Sequence, residues 1–169
     1  MSLALVGGGA RSGKSRHALH LARQCGSRLA FCATAAPGDE EMSERIALHR
    51  RERGPEFTTF EEPLAVASLL EAQAGRFDAI VVDCLTLWLS NLMFSQPAAI
   101  EEECNRLVKA ASSAPARVVL VTNEVGCGIV PDNALAREFR DRAGKLNQQA
   151  AAAAAEVYWM VFGVPLKVK

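Results

Sequence analysis

The chain has 169 residues, half of them hydrophobic and 22% charged, with nineteen basic side chains balanced by nineteen acidic ones. This length and apolar content suit one α/β domain over residues 1–169 and exclude a disordered chain. A formal net charge of zero argues against a nonspecific grip on nucleic acid or acidic membranes.

In chain order, Leu3–Val6 is the first strand and runs into Gly7, Gly8 and Gly9. Its apolar run is too short, and lacks the basic flank, for a secretory signal. Further strands are expected at Leu29–Ala33, Ala79–Asp83, Arg117–Thr122 and Val157–Phe162, all continuous apolar runs of the kind buried on both faces of a parallel sheet. Parallel strands need long crossovers. Helices are expected at Asp39–Arg53, Ala98–Ser112 and Asn133–Glu156, the last enclosing the six-alanine run Ala150–Ala155. The pattern predicts an open parallel sheet with helices on both sides. Cys25, Cys32, Cys84, Cys104 and Cys127 are odd in number and form no C-x-x-C pair. They suit a reducing cytoplasm better than a disulfide framework or a zinc site. No stretch is long and apolar enough to span a bilayer, so a soluble protein is expected.

The residues Gly8-Gly9-Ala10-Arg11-Ser12-Gly13-Lys14-Ser15 satisfy G-x-x-x-x-G-K-[ST] between a strand and a helix. Glycines let successive N–H groups point into one concavity, and the helix N-terminus adds partial positive charge beneath bound phosphates. Lys14 then reaches the β- and γ-phosphates, while Ser15 holds Mg²⁺. Asp83, closing the run Ile80-Val81-Val82, has the form of a second carboxylate ligand to that ion. A guanine-reading Asn-Lys-x-Asp is absent: Thr122-Asn123-Glu124 carries Glu124 in place of the lysine. A GTPase switch is therefore disfavoured, and the Asn-Glu pair calls for another explanation.

His17 and His20 follow the loop and read as helix surface. His49 is different. Arg45, His49 and Arg53 are spaced four apart, with Arg50 and Arg51 adjoining. Like charge favours the neutral, nucleophilic imidazole, and the same arginines suit a triphosphate. A solvated charged helix face fits the same spacing, and this cluster alone leaves both readings open.

Together these residues resemble the bifunctional adenosylcobinamide kinase and adenosylcobinamide-phosphate guanylyltransferase family. The likeness runs from about Leu3 to Lys169 through ordered motifs: the loop with Arg16 and His17; Glu41-Met-Ser-Glu-Arg45-Ile46 with His49-Arg50; and Glu61-Glu62-Pro63. Asp83-Cys-Leu-Thr86 with Trp88 and Asn91-Leu92 follows, then Val121-Thr-Asn-Glu-Val-Gly126, Gly128-Ile-Val-Pro131, Phe139-Arg-Asp141 and Asn147-Gln148. Gly7 stands where some members have Thr, and Asp83 where some have Glu.

The resemblance implies a RecA-like P-loop fold and a homotrimer. It implies phosphorylation of the aminopropanol hydroxyl of adenosylcobinamide by ATP or GTP. GMP then passes from GTP to that phosphate, giving adenosylcobinamide-GDP and pyrophosphate. His49 matches the histidine that carries GMP covalently. Gly8–Ser15, Thr34, Ala35, Arg50, Arg51, Glu52, Arg53, Glu61 and Asp83 match nucleotide-binding positions. One phosphate loop in so short a chain implies that both reactions share a nucleotide site. A simple small-molecule kinase, needing no covalent step, and a nucleotide switch without turnover are the alternatives.

Overall fold

The structure, a computed structural model, describes residues 2–35 and 53–169. Seven strands form one sheet: β1 (Leu3–Gly8), β2 (Leu29–Ala33), β3 (Phe57–Glu61), β4 (Ala79–Asp83), β5 (Arg117–Val121), β6 (Glu156–Val161) and β7 (Val164–Lys167). Their spatial order is β3-β2-β4-β5-β1-β6-β7, and every pairing is parallel except β6 with β7. The helices are α1 (Lys14–Arg23), α2 (Val66–Gln73), α3 (Leu85–Ser95), α4 (Ile100–Ser113) and α5 (Ala134–Ala153).

The apolar runs work because side chains alternate between faces. Leu3, Leu5, Ile80, Val82, Val118 and Leu120 point to one side and pack against α2, α3, α4 and α5. Ala4, Val6, Phe31, Val81, Val119 and Val121 point to the other, against Ala18, Leu19 and Ala22 of α1. Each face is covered, so the inner strands need no polar positions. Helix α3 is apolar on most sides and largely enclosed: Trp88 and Leu89 are fully buried, and the Trp88 indole donates to the Leu64 carbonyl at 2.8 Å.

Several expectations shift. The first strand extends through Gly7 and Gly8. The helix expected at Ala98 begins at Ile100, after a short 3-10 turn at Pro97–Ala99. The helix over the alanine run stops at Ala153, not at Glu156. Ala154 is already extended (ψ 142°), the Ala155 amide donates to the Leu3 carbonyl at 2.9 Å, and Glu156 pairs with Ala4. Alanine favours helix by tenths of a kcal/mol per residue, and the sheet ladder overrides it. Strands β3 and β7 were not anticipated. The first carries Thr58 and Thr59 in the open at the sheet edge, and the second is a short exposed strand containing Pro165. Pro165 is at home on such an edge, where no ladder donor is required. The helix expected at Asp39–Arg53 lies outside the described residues, apart from Arg53.

One row of the ladder sets up the site. Val6, Val121, Asp83, Ala33 and Glu61 stand in register across five strands. The connections that follow them therefore all emerge along the carboxyl edge. Strand β5 lies between β1 and β4, so the strand bearing the glycine loop and the strand bearing Asp83 are not neighbours.

Candidate active site

The loop after β1 is shaped by glycine. Gly8 has φ +149°, and a Cβ there would lie 2.9 Å from both the Met160 carbonyl oxygen and the Ser12 hydroxyl. Gly13 (φ +90°) turns the chain into α1, and no side chain caps that helix. The first-turn N–H groups are thus left for an anion, with the helix dipole behind them.

Lys14 is buried, 7% exposed, and folds back over the loop. Its ammonium donates to the Gly9 carbonyl and lies 3.5 Å from the Ser12 hydroxyl. Burial lowers its pKa from the ordinary lysine value, and the nearby Asp83 and Cys84 pull it partly back. The Ser15 hydroxyl donates to Asp83 Oδ2 at 2.5 Å, joining positions 68 residues apart in the chain. That contact spans the end of β5 and places the loop serine and the strand carboxylate at one point.

Thr34 sits at the same edge, fully buried, with all its polar groups engaged. Its amide donates to the Asp83 carbonyl at 3.1 Å. Its hydroxyl bonds the amide and the carbonyl of Cys84, both at 2.8 Å, and its carbonyl accepts from Asn91 at 2.9 Å. In this geometry Thr34 acts by fixing the backbone around Asp83. Ala35 follows it, half-buried, and Glu61 ends β3 beside Ala33. Arg53 is 4% exposed, with its guanidinium 4.1 Å from the centre of the Phe31 ring and 3.3 Å from the Thr59 hydroxyl. It is anchored on the α1 face, two residues back from the carboxyl edge. The structure therefore brings Lys14, Ser15 and Asp83 together. His49, Arg50, Arg51 and Glu52 lie outside the described residues.

His17 is half-buried, its ring edge-on to Tyr158 at 4.7 Å, and His20 is exposed. Burial, with a smaller effect of His20, lowers the His17 pKa. The buried Cys84 thiol is pushed up, and Cys32 is pushed up to about 12, so neither is a reactive thiolate.

Sequence reasoning left the polar bracing of this edge unassigned. Asn91 also donates to the Pro63 carbonyl at 3.1 Å, tying α3 to two strand ends. Asn123 donates to the Thr86 hydroxyl at 2.8 Å, and Thr122 donates to Asn147 at 2.7 Å. The sequence showed these residues as members of the family motifs and as polar interruptions of apolar segments, without saying which of them meet.

A glycine loop after the first strand of a parallel sheet, joined through its serine to a carboxylate two strands away, defines a P-loop nucleotide-binding protein of the RecA-like kind. Solved structures agree on the fold. The RadB recombinase superimposes with TM-score 0.52 at 16% identity, over 94% of this chain and 73% of that one. An ATPase of a bacterial type III secretion system gives 0.59 at 10% identity, over 98% and 56%. A protein-family profile described as cobinamide kinase / cobinamide phosphate guanyltransferase matches residues 4–168, and the chain belongs to that family. It is 45% identical over 168 residues to the bifunctional adenosylcobalamin biosynthesis protein CobP of Pseudomonas aeruginosa, covering 98% of this chain and 96% of that protein. It is 42% identical over 179 residues to the corresponding CobU of Escherichia coli, covering 98% of each.

Proposed function

We propose that this chain performs both reactions for which its family is described: phosphorylation of adenosylcobinamide by ATP or GTP, and transfer of GMP from GTP to the resulting phosphate. The observation that carries this is the convergence of Lys14, Ser15 and Asp83 at the mouth of the glycine loop. Two hard oxygen donors joined at 2.5 Å suit Mg²⁺, which takes few protein ligands and completes its shell with water and phosphate oxygens. Ser15 and Asp83 would hold the ion, which when bound neutralises charge on the phosphates. The loop amides bind the phosphates. Lys14, released from the Gly9 carbonyl, offsets charge developing toward the γ-phosphate in the kinase step.

For guanylyl transfer, His49 is the proposed nucleophile on the α-phosphorus. It forms a phosphorus–nitrogen bond as pyrophosphate leaves, and the cobinamide phosphate then displaces the imidazole. Arg50 and Arg51 support the charge that develops, and both reactions use the one loop. The protein is proposed to work in the cytoplasm as a homotrimer. Among the described residues no helix is long and apolar enough to cross a membrane. The edge strand β7 exposes Val164 and Leu166, a surface that self-association would cover.

The decisive experiment is intact-mass measurement after mixing the protein with GTP and Mg²⁺. The wild type is expected to gain an acid-labile GMP adduct, and His49→Ala to lose it while retaining most of the kinase activity. Equal loss of both activities in folded His49→Ala would assign His49 to the shared nucleotide site. A surviving adduct would place the nucleophile elsewhere. A simple kinase or a switch gives no adduct at all.

A further inference from the structure

The connection between β5 and α5, residues 122–133, carries polar and apolar features that nucleotide binding does not use. It starts alongside the phosphate loop. Beyond the last residue of β5 the chain keeps bonding to β1: the Thr122 amide donates to the Val6 carbonyl at 3.0 Å, and the Glu124 amide to the Gly8 carbonyl at 3.1 Å. Glu124 therefore stands at the root of the glycine loop, above the strand that separates Lys14 from Asp83. Its Oε1 accepts from the Gly126 amide at 2.6 Å, and its Oε2 has no partner among the described residues.

Further along, Ile129 is 97% exposed and Val130 60% exposed. This apolar tip is braced on its carboxyl side. Arg137 donates to the Pro131 and Asp132 carbonyls at 2.9 and 2.7 Å, and Asn133 caps α5 by accepting from the Ala136 amide at 2.7 Å. A supported segment that presents apolar side chains to water marks a recognition surface.

We propose that this connection is the acceptor half of the kinase site, with Glu124 as general base toward the acceptor hydroxyl and Ile129 and Val130 as the seat for the apolar face of the corrinoid. The inference rests on the kinase reading above. The occupant follows from continuity with the loop: an acceptor must bring its hydroxyl to the γ-phosphate, and this connection leaves β5 hydrogen-bonded to Gly8. In the step, a bond forms between the hydroxyl oxygen and the γ-phosphorus. The bond from that phosphorus to the bridging oxygen breaks, and the nucleoside diphosphate leaves with its electron pair. The hydroxyl proton passes to Glu124 Oε2 and is lost to water after the product departs. Such proton transfer commonly contributes a hundredfold or more.

Two variants and a label test this. E124Q keeps the oxygen that accepts from Gly126 and removes the base. Cobinamide phosphorylation is expected to fall about a hundredfold in kcat and to lose its acid-limb pH dependence, while the GMP adduct forms at the wild-type rate. In I129S/V130S, KM for cobinamide is expected to rise about tenfold as apolar contact is lost. Cys127, exposed in the same segment, provides a readout independent of activity. Cobinamide should slow its alkylation in the wild type, followed by peptide mass, and not in I129S/V130S. Unchanged kinase rate and pH profile in E124Q overturn the proposal, as does equal loss of adduct and kinase activity there. It is also overturned if I129S/V130S leaves KM and the alkylation protection intact and changes only the sedimenting mass, which would assign the tip to a second copy of the chain. A wild type that forms the adduct but never phosphorylates cobinamide overturns the kinase reading itself, and this inference with it.

Discussion

Two connections leave the carboxyl edge of the sheet side by side, and they are built in opposite ways. The one from β1 to α1 is shaped by its backbone: Gly8 and Gly13 take conformations closed to other residues, and the helix behind them has no side-chain cap. The one from β5 to α5 is shaped by side chains. Asn123 reaches Thr86, Glu124 closes on Gly126, and Arg137 holds two carbonyls. Binding phosphate through N–H groups restricts residue type at fixed offsets, because only glycine permits the turn. Bracing by side chains can be met by many residues, provided that the fold brings the partners together.

The largest expected effect is at Lys14, where stability and activity should part. Lys14→Met is expected to lower kinase activity about 10²- to 10³-fold, in line with loss of one preorganised charge. It should also raise the melting temperature of the ligand-free protein at pH 7. Burial lowers the folded-state pKa of Lys14 below its unfolded value of 10.5. The penalty for keeping it charged is therefore fully present at neutral pH. It fades as pH rises through the folded pKa toward 10.5. Thermal melts of both proteins at pH 7 and at higher pH check this, with the gap closing as pH rises. A destabilised variant at pH 7 would show that the bond to Gly9 outweighs the burial cost.

Within the glycine loop, neighbouring positions should differ. Gly8→Ala forces a Cβ to within 2.9 Å of the Met160 carbonyl oxygen at a φ of +149°, a cost of roughly 1–3 kcal/mol. Nothing lies within 4 Å of a Cβ at Gly9, so Gly9→Ala should change stability by less than about 0.5 kcal/mol. Denaturant titration of the two variants gives the contrast directly. A more local effect is expected at Arg137→Ala, which frees the Pro131 and Asp132 carbonyls at about 1 kcal/mol. Amide exchange should quicken across 126–130 and stay unchanged across 8–15. Faster exchange in both segments would mean that the two connections are mechanically one.

The glycine loop, the class of fold and the strands at Leu29–Ala33 and Ala79–Asp83 were legible in the sequence as they stand, because each follows from local residue type or short-range periodicity. The strand Phe57–Glu61 was not, since an edge strand with two exposed threonines breaks the apolar run that marks an inner one. The end of α5 was misread because helix propensity in Ala150–Ala155 says nothing of a ladder bond to Leu3. For the site, Lys14, Ser15 and Asp83 were all named from the sequence, yet only the folded chain shows that Ser15 and Asp83 meet.

The sequence by itself thus determined the chemistry that lies within one turn of the chain: a phosphate cradle, a cation at its mouth, and a carboxylate ending a buried strand. The tertiary structure alone decided what depends on strand order. By inserting β5 between β1 and β4, it set Glu124 at the foot of the glycine loop, and by pairing β2 with β4 it committed Thr34 to the backbone around Asp83. Strand order follows from which apolar faces cover one another across the whole sheet, a long-range sum that no short window of residues contains.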